Sequence, residues 1–136
     1  MLDGVKKYLK ECPLLKGGGI NIEALTEPVK YSIEVMMVQP VIKKYADGAS
    51  QRQFVFQFCS KEQMSDAGLK NLENAQFYEK FSDWIEEQNN KNNLPKFPEG
   101  KTAQSVEILT QGVLMSETGT TGRYAIQMRV IYYKAK

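Results

Sequence analysis

The sequence contains no histidine among its 136 residues. Histidine is the commonest general base and the commonest metal ligand near neutral pH. Its absence rules out Ser-His-Asp and Cys-His catalytic arrangements and argues against nearly all zinc or iron sites. We therefore expect no cofactor and no metal, and we predict that the protein is not an enzyme.

Cysteine is also scarce, with only Cys12 and Cys59 in the chain. Their separation is not that of metal-ligating cysteines. In a chain without a secretory signal, a single pair is more simply two reduced thiols than a disulfide. Cys59 falls on a strand face opposite a row of phenylalanines, so we expect it to serve packing.

Long apolar runs are missing as well. No segment approaches the ~20 apolar residues that a transmembrane helix requires. Residues 1–15 carry too many charges for the apolar core of a signal peptide. We therefore expect a protein that is made in the cytoplasm, is soluble there and has no membrane partner.

The chain has no strong excess of charge of either sign, its net charge being +2. Nucleic-acid binding needs Lys and Arg concentrated on one face, so this balance argues against a nucleic-acid partner. The glycines at residues 17–19 are not followed by Lys-Ser/Thr or arranged as GxGxxG, so they do not predict a phosphate-binding loop.

Aromatic residues are plentiful in one region, where a strand leads into a long helix. Phe54, Phe56 and Phe58 alternate with polar or smaller residues, which is the period-2 pattern of a half-buried strand. The helix predicted over Asp66–Asn90 carries an apolar stripe at helical spacing, formed by Phe77, Phe81, Trp84 and Ile85. Matching apolar faces predict that this helix packs on the sheet.

The other predicted elements complete a single domain. They are an amphipathic helix over Leu2–Cys12, a short strand near Ile20, a strand over residues 31–38 that Pro40 interrupts, a strand over Val41–Tyr45, a strand over residues 102–115 with a kink at Gly112, and a strand over residues 123–133. In the last strand Tyr124, Ile126, Met128, Val130 and Tyr132 are predicted to face inward. Residues 1–136 are therefore expected to form one α+β two-layer sandwich, with a mainly antiparallel sheet, a long helix packed on one face and a short N-terminal helix.

Two exposed segments are candidates for an interface. The outward face of the last strand interleaves arginine with tyrosine, two residue types enriched at protein interfaces. The arm Val41–Gln51 combines apolar residues with two lysines, and it either packs on its own sheet or docks on a neighbour. The candidate interface residues are Val41, Ile42, Lys43, Lys44, Tyr45, Arg52, Arg123, Gln127, Arg129 and Tyr133.

Three segments taken together, residues 31–58, 71–114 and 123–133, resemble a known class of proteins. The class is the small minor capsid or tail-completion proteins encoded in the tail-assembly regions of phages and prophages of Gram-positive bacteria. The element order is also similar to that of tail terminators and head–tail joining proteins of long-tailed phages. The resemblance carries no motif of functional residues that could be transferred position by position.

The resemblance implies a structural role as a homo-oligomeric ring, expected to be a hexamer. Such a ring stops growth of the tail tube and presents a surface to the head, with the tail-tube protein and a head-completion protein as partners. It implies a location in the virion tail, and in the host cytoplasm during assembly. The arm Val41–Gln51 and the polar loop Glu117–Gly122 are then expected to be mobile in the free protein and to become ordered in the tail.

Two alternatives stay open at this point. The same elements fit a cone-like α+β domain that binds a small ligand or acts as an enzyme through Asp or Tyr, and a sizeable apolar pocket with converging carboxylates would favour it. A nucleic-acid-binding module would require Lys43, Lys44, Arg52 and Arg129 to share one face.

Overall fold

The computed structural model describes residues 1–13, 20–22, 31–63, 67–110, 113–118 and 121–136. Two helices and seven strands lie in this part of the chain. In order they are α1 (Leu2–Lys10), β1 (Ile20–Ile22), β2 (Tyr31–Val35), β3 (Val41–Lys44), β4 (Ser50–Gln63), α2 (Ala67–Asn90), β5 (Lys101–Ile108), β6 (Val113–Thr118) and β7 (Thr121–Lys134).

Two long strands form the centre of the sheet. β4 and β7 pair antiparallel over fourteen positions, from Ser50 opposite Lys134 to Gln63 opposite Thr121. On the far side of β4, β2 and β3 pair at different points along it, and β5 and β6 do the same on β7. β1 adds a parallel pair beside β2, and every other pair is antiparallel. The predicted α+β architecture with a mainly antiparallel sheet is confirmed.

The core lies between the sheet and the two helices, as the periodicity predicted. Phe56 and Phe58 of β4 and Phe81 of α2 are at most 1% exposed. The rings of Phe58 and Phe81 stack with centroids 5.2 Å apart, and the ring of Tyr31 of β2 stacks with that of Phe58 at 5.5 Å. Burial of one such side chain contributes roughly 1.5–3 kcal/mol to folding. Val5 and Leu9 bring α1 into the same core.

The predicted inward face of the last strand is confirmed wherever its side chains are described. Ile126, Met128, Val130 and Tyr132 are all buried, with exposures of 3% or less. The side chain of Tyr124 lies outside the described residues. β7 therefore contributes one continuous apolar row to the floor of the core.

Helix α2 has a defined end. Asn92 adopts the left-handed conformation (φ +57°), and the amide of Asn93 donates to the carbonyl of Gln88 at 2.9 Å. The amide of Asn92 donates to the carbonyl of Asn89, so the two bonds form a Schellman motif that satisfies the last carbonyls of the helix. The asparagine-rich stretch after the helix, which predicted the stop, supplies the residue that closes it.

Several boundaries differ from the predictions. β2 ends at Val35 rather than at residue 38, and Met37 is fully exposed. The strand predicted over residues 102–115 is two strands, β5 and β6, which pair with different parts of β7. Gly112, where we expected a kink, and Gly17–Gly19 lie outside the described residues. Because pairing with β7 decides where these strands break, the local pattern could not reveal it.

In the arm Val41–Gln51, Val41–Lys44 is β3, as predicted, and Ser50 and Gln51 already belong to β4. The predicted loop Glu117–Gly122 is largely strand. In the segment Glu117–Gly122, Glu117 pairs with Gly122 and Thr118 pairs with Thr121, so only residues 119–120 fall outside the described strands. The prediction of a six-residue loop was wrong because threonine, although polar, is a good strand former.

Candidate interaction surfaces

The β3 hairpin contacts its own sheet. The Tyr45 ring lies 6.1 Å from the Tyr133 ring, and the Lys43 ammonium lies 5.5 Å from the centroid of Tyr45, within cation–π range. The turn is closed by the Asp47 carboxylate, which accepts a hydrogen bond from the Ala49 amide at 3.0 Å, and by Gly48 at φ +94°. Of the two alternatives for the arm, self-packing therefore applies to Tyr45.

The segment before the hairpin presents apolar side chains to solvent. We define the β3 edge as residues 35–44. Among the residues whose side chains the structure describes, four of the five large exposed hydrophobic side chains lie on this edge, and their exposures are 40% for Val35, 102% for Met37, 41% for Val38 and 44% for Ile42. Clustered exposed apolar residues, unlike scattered ones, mark an interaction surface.

Backbone hydrogen bonds fix this apolar segment along β4. The Met36 amide donates to the Val55 carbonyl at 3.0 Å, and the Gln53 amide donates to the Pro40 carbonyl at 2.8 Å. The Gln53 side chain donates to the Gln39 carbonyl, also at 2.8 Å. A register shift between Val41 and Lys43 leaves Ile42 as the extra residue of a bulge. The exposed side chains of the β3 edge are therefore presented on a backbone that is anchored to the sheet.

Among the predicted interface residues of β7, Arg129 is engaged within the molecule through its side chain. Arg129 forms an ion pair with Glu107 of β5 at 2.5 Å and donates to the side chain of Gln53 at 3.1 Å. Gln127 is half-buried, and its backbone bonds the Leu109 amide and the Thr110 hydroxyl. The side chain of Arg123 lies outside the described residues. Arg129 therefore stabilises its own sheet, which sequence inspection did not reveal.

The four charges required by the nucleic-acid alternative do not share a face. Residues directly opposite in a ladder lie on the same face, and successive residues alternate. Lys43 is opposite Gln51, which puts it on the face of Arg129. Lys44 is opposite Ser50 and Arg52 is opposite Tyr132, so both belong to the helix-bearing face. Arg52 also donates to the Ser50 hydroxyl at 3.0 Å. The candidate set is therefore divided between the two faces.

A basic row at one end of the sheet was missed by sequence reasoning. Lys44 is opposite Ser50, Ser50 is opposite Lys134, and Lys134 is opposite Lys101. Three lysines from three strands thus share one face at the end of the sheet. They are far apart in sequence, so only the register, which no local pattern reports, brings them together.

The opposite edge of the sheet carries an acidic groove. It is a shallow depression of about 420 Å³ between α2 and β5, and we call it the α2–β5 groove; its lining is Ser82, Ile85, Glu86, Asn89, Val106, Glu107 and Ile108. The side chain of Asn89 holds the two elements together, since it accepts from the Val106 amide at 3.0 Å and donates to the Val106 carbonyl at 2.7 Å. The groove therefore has an apolar floor and carboxylates at its rim.

The exposed face of α2 beside this groove is acidic. Glu79, Asp83, Glu86 and Glu87 are all exposed, against one exposed lysine, Lys80, over the same turns. Glu87 is paired with Lys91 at 2.7 Å. The sequence alone indicated a solvated helix surface for these carboxylates, and their position beside an apolar groove required the α2–β5 packing to be seen.

A separate cleft lies between α1 and residues 93–98. It has a volume of about 580 Å³, within the range of ligand sites. Tyr8 contributes to its wall, and the Tyr8 hydroxyl is buried and has no hydrogen-bond partner among the described residues. Burial, with smaller contributions from Cys12 and Glu11, raises the pKa of Tyr8 well above its usual range, so the phenol stays neutral. The carboxylates at the cleft, Asp3 and Glu11, are exposed rather than convergent and buried.

The two cysteines lie inside the fold. Cys12 and Cys59 are both buried thiols, and Cys59 lies 3.1 Å from a carboxylate oxygen of Glu34 on the neighbouring strand.

Within the described residues, no three His, Cys, Asp or Glu side chains are grouped closely enough to hold a metal ion. In the same part of the chain, no helix is long and apolar enough to cross a membrane.

No family model and no curated protein matches this chain.

Proposed function

We propose that this chain is a structural protein of a phage virion that completes the tail. It acts as the ring that ends growth of the tail tube or as the adjacent ring that joins tail to head. The role needs no catalytic group, cofactor or metal. It places the protein in the host cytoplasm during assembly and in the virion tail afterwards, with the tail-tube protein and a head-completion protein as its partners.

One observation carries the proposal furthest, the apolar β3 edge. Val38 and Ile42 are more than 40% exposed and Met37 completely so, yet hydrogen bonds to β4 hold their backbone in place. An isolated soluble domain gains nothing by exposing a fixed apolar segment, whereas an assembly subunit buries it against a neighbour. This supports the sequence resemblance to tail-completion proteins from an independent direction.

The test is deletion of the gene in the phage or prophage that encodes the chain. We expect overlong or headless tails in electron micrographs, and normal particles once the wild-type gene is supplied in trans. Normal infectious particles without the gene would refute the proposal. Tail length separates the two forms of the role, because loss of a terminator gives overlong tubes and loss of a joining ring gives normal tubes without heads.

The cleft beside α1 favours a second candidate, a small-ligand-binding domain. Tyr8 lines this cleft, and its neutral, buried hydroxyl has no hydrogen-bond partner among the described residues, so a ligand that reaches it could supply one. Thermal-shift screening of wild type against Tyr8→Phe tests this function. A ligand that stabilises only the wild type would support it, and a tail defect in the deletion strain would still assign the primary role to assembly.

A further inference from the structure

We propose that the β3 edge of one copy of this chain docks in the α2–β5 groove of the next. This inference rests on the proposed ring and names the contact that closes it. The two surfaces lie on opposite edges of the sheet, because β3 pairs with β4 and β5 pairs with β7, the strands being ordered β3, β4, β7, β5 across this end. A contact between opposite edges is head-to-tail, and head-to-tail contacts form rings when the rotation closes.

The two surfaces are complementary in charge. The β3 edge ends in Lys43 and Lys44, both exposed, one on each face of the sheet beside the edge. The rim of the groove carries Glu86, and Asp83 is exposed one turn earlier on the same helix. Opposite potentials favour pairing of edge with groove and oppose pairing of edge with edge or of groove with groove. The charge pattern therefore selects a second copy in the head-to-tail orientation.

The two surfaces also match in polarity. Ile42 and Met37 offer apolar side chains, and Ile85 and Ile108 line the groove. Apolar centres with charged rims are the usual arrangement of protein interfaces.

The extent of the contact predicts weak association. The groove is shallow, so the buried area falls at the low end of interface sizes, below about 1,200 Å². Free subunits then associate weakly, and a completed tail tube aligns them into a ring.

Charge reversal on each side separately gives a decisive test. The edge variant is Lys43→Glu with Lys44→Glu, and the groove variant is Asp83→Lys with Glu86→Lys. Self-association of the purified full chain is measured by sedimentation velocity at low salt. We expect each variant alone to associate at least about tenfold more weakly than the wild type, because like charges then face each other.

Mixing the two variants is the critical measurement. The edge variant keeps an acidic groove, and the groove variant keeps a basic edge, so both contacts in an alternating assembly pair opposite charges. We expect the equimolar mixture to recover wild-type association, which also shows that both variants are folded. The matched control, Lys10→Glu with Lys96→Glu, makes the same change at two other exposed lysines and should associate as the wild type does. Raising the salt to about 1 M, where the Debye length is about 3 Å, should weaken wild-type association.

Three results would overturn the inference. The first is a wild type that remains monomeric up to about 1 mM, since a Kd of 1 mM corresponds to a binding free energy of only about 4 kcal/mol. The second is a groove variant that associates as the wild type does. The third is an equimolar mixture that does not recover wild-type association. None of these depends on tails. Tail morphology in the deletion strain tests the proposed function separately, so either conclusion can fail while the other stands.

Discussion

The two edges of the sheet differ in what covers their outer strands. At the β5 edge, helix α2 covers the strand, and the Asn89 side chain bonds both backbone groups of Val106. At the β3 edge no described helix lies over the strand, and Met37 and Ile42 remain exposed. Exposed sheet edges are normally protected by charge, bulges or covering elements. The β3 edge has a bulge and two lysines but keeps its apolar side chains, as the proposed docking of this edge on a second copy requires.

The largest change in the free energy of unfolding is expected for a substitution in the core under α2. Phe81 is fully buried and stacks on Phe58, so Phe81→Ala should lower the free energy of unfolding by about 3–5 kcal/mol. Met37→Ala on the β3 edge should change it by no more than about 0.5 kcal/mol. Urea denaturation of the purified variants measures both values. A cost above about 1 kcal/mol for Met37→Ala would mean that the β3 edge is part of the fold rather than an open surface.

A smaller effect is expected where α2 closes the β5 edge. Asn89→Ala removes both hydrogen bonds to the backbone of Val106, which is a buried residue. The change should lower the free energy of unfolding by about 1–3 kcal/mol. Asn90→Ala, at the exposed neighbouring position, is the matched control and should be close to neutral. Hydrogen exchange should show faster exchange of the Val106 amide in Asn89→Ala only. Equal stability of the two variants would show that Asn89 does not secure this edge.

The ion pair across β5 and β7 should contribute less. The side chains of Arg129 and Glu107 are 30% and 40% exposed, so solvent screens the pair. Glu107→Gln should therefore lower the free energy of unfolding by about 0.2–1 kcal/mol. The Glu87–Lys91 pair on α2, with both side chains more than half exposed, is the comparison, and Glu87→Gln should cost less than Glu107→Gln. Denaturation at low salt and at about 1 M NaCl should show the Glu107→Gln difference shrinking. A salt-independent difference would contradict an electrostatic origin.

Sequence periodicity predicted the covered side of the molecule better than the open side. The alternation of Phe56 and Phe58 and the helical spacing of Phe81 and Ile85 are local, and burial against each other is what such patterns report. The end of β2 at Val35 was not predicted, because the apolar alternation continues to Met37 and hydropathy alone does not indicate whether a side chain is covered.

Contacts set by register could not be predicted either. Arg129 was expected to face a partner, yet its ion pair with Glu107 depends on β5 lying beside β7 in one register. The split of residues 102–115 into β5 and β6 has the same origin. Long-range pairing decides these features, and a one-residue shift would exchange the faces.

The smallest expected effect at neutral pH concerns Tyr8, which packs against Trp84 of α2 on the covered side with ring centroids 5.3 Å apart. Its hydroxyl is buried and has no partner among the described residues, so Tyr8→Phe should not lower the free energy of unfolding at pH 7.

The pKa of Tyr8 is raised in the folded protein, mainly by burial, so the folded state binds this proton more tightly than the unfolded state. Stability from this group is therefore complete below the ordinary tyrosine pKa of about 10 and is lost as the pH rises beyond it. Denaturation of wild type and Tyr8→Phe at a series of pH values from neutral upward should give curves that diverge above about pH 10, with the wild type losing more stability. Because other groups titrate equally in both proteins, the difference isolates Tyr8. Parallel curves would show that the Tyr8 hydroxyl is hydrated, and the α1 side of the core would then be as open as the β3 edge.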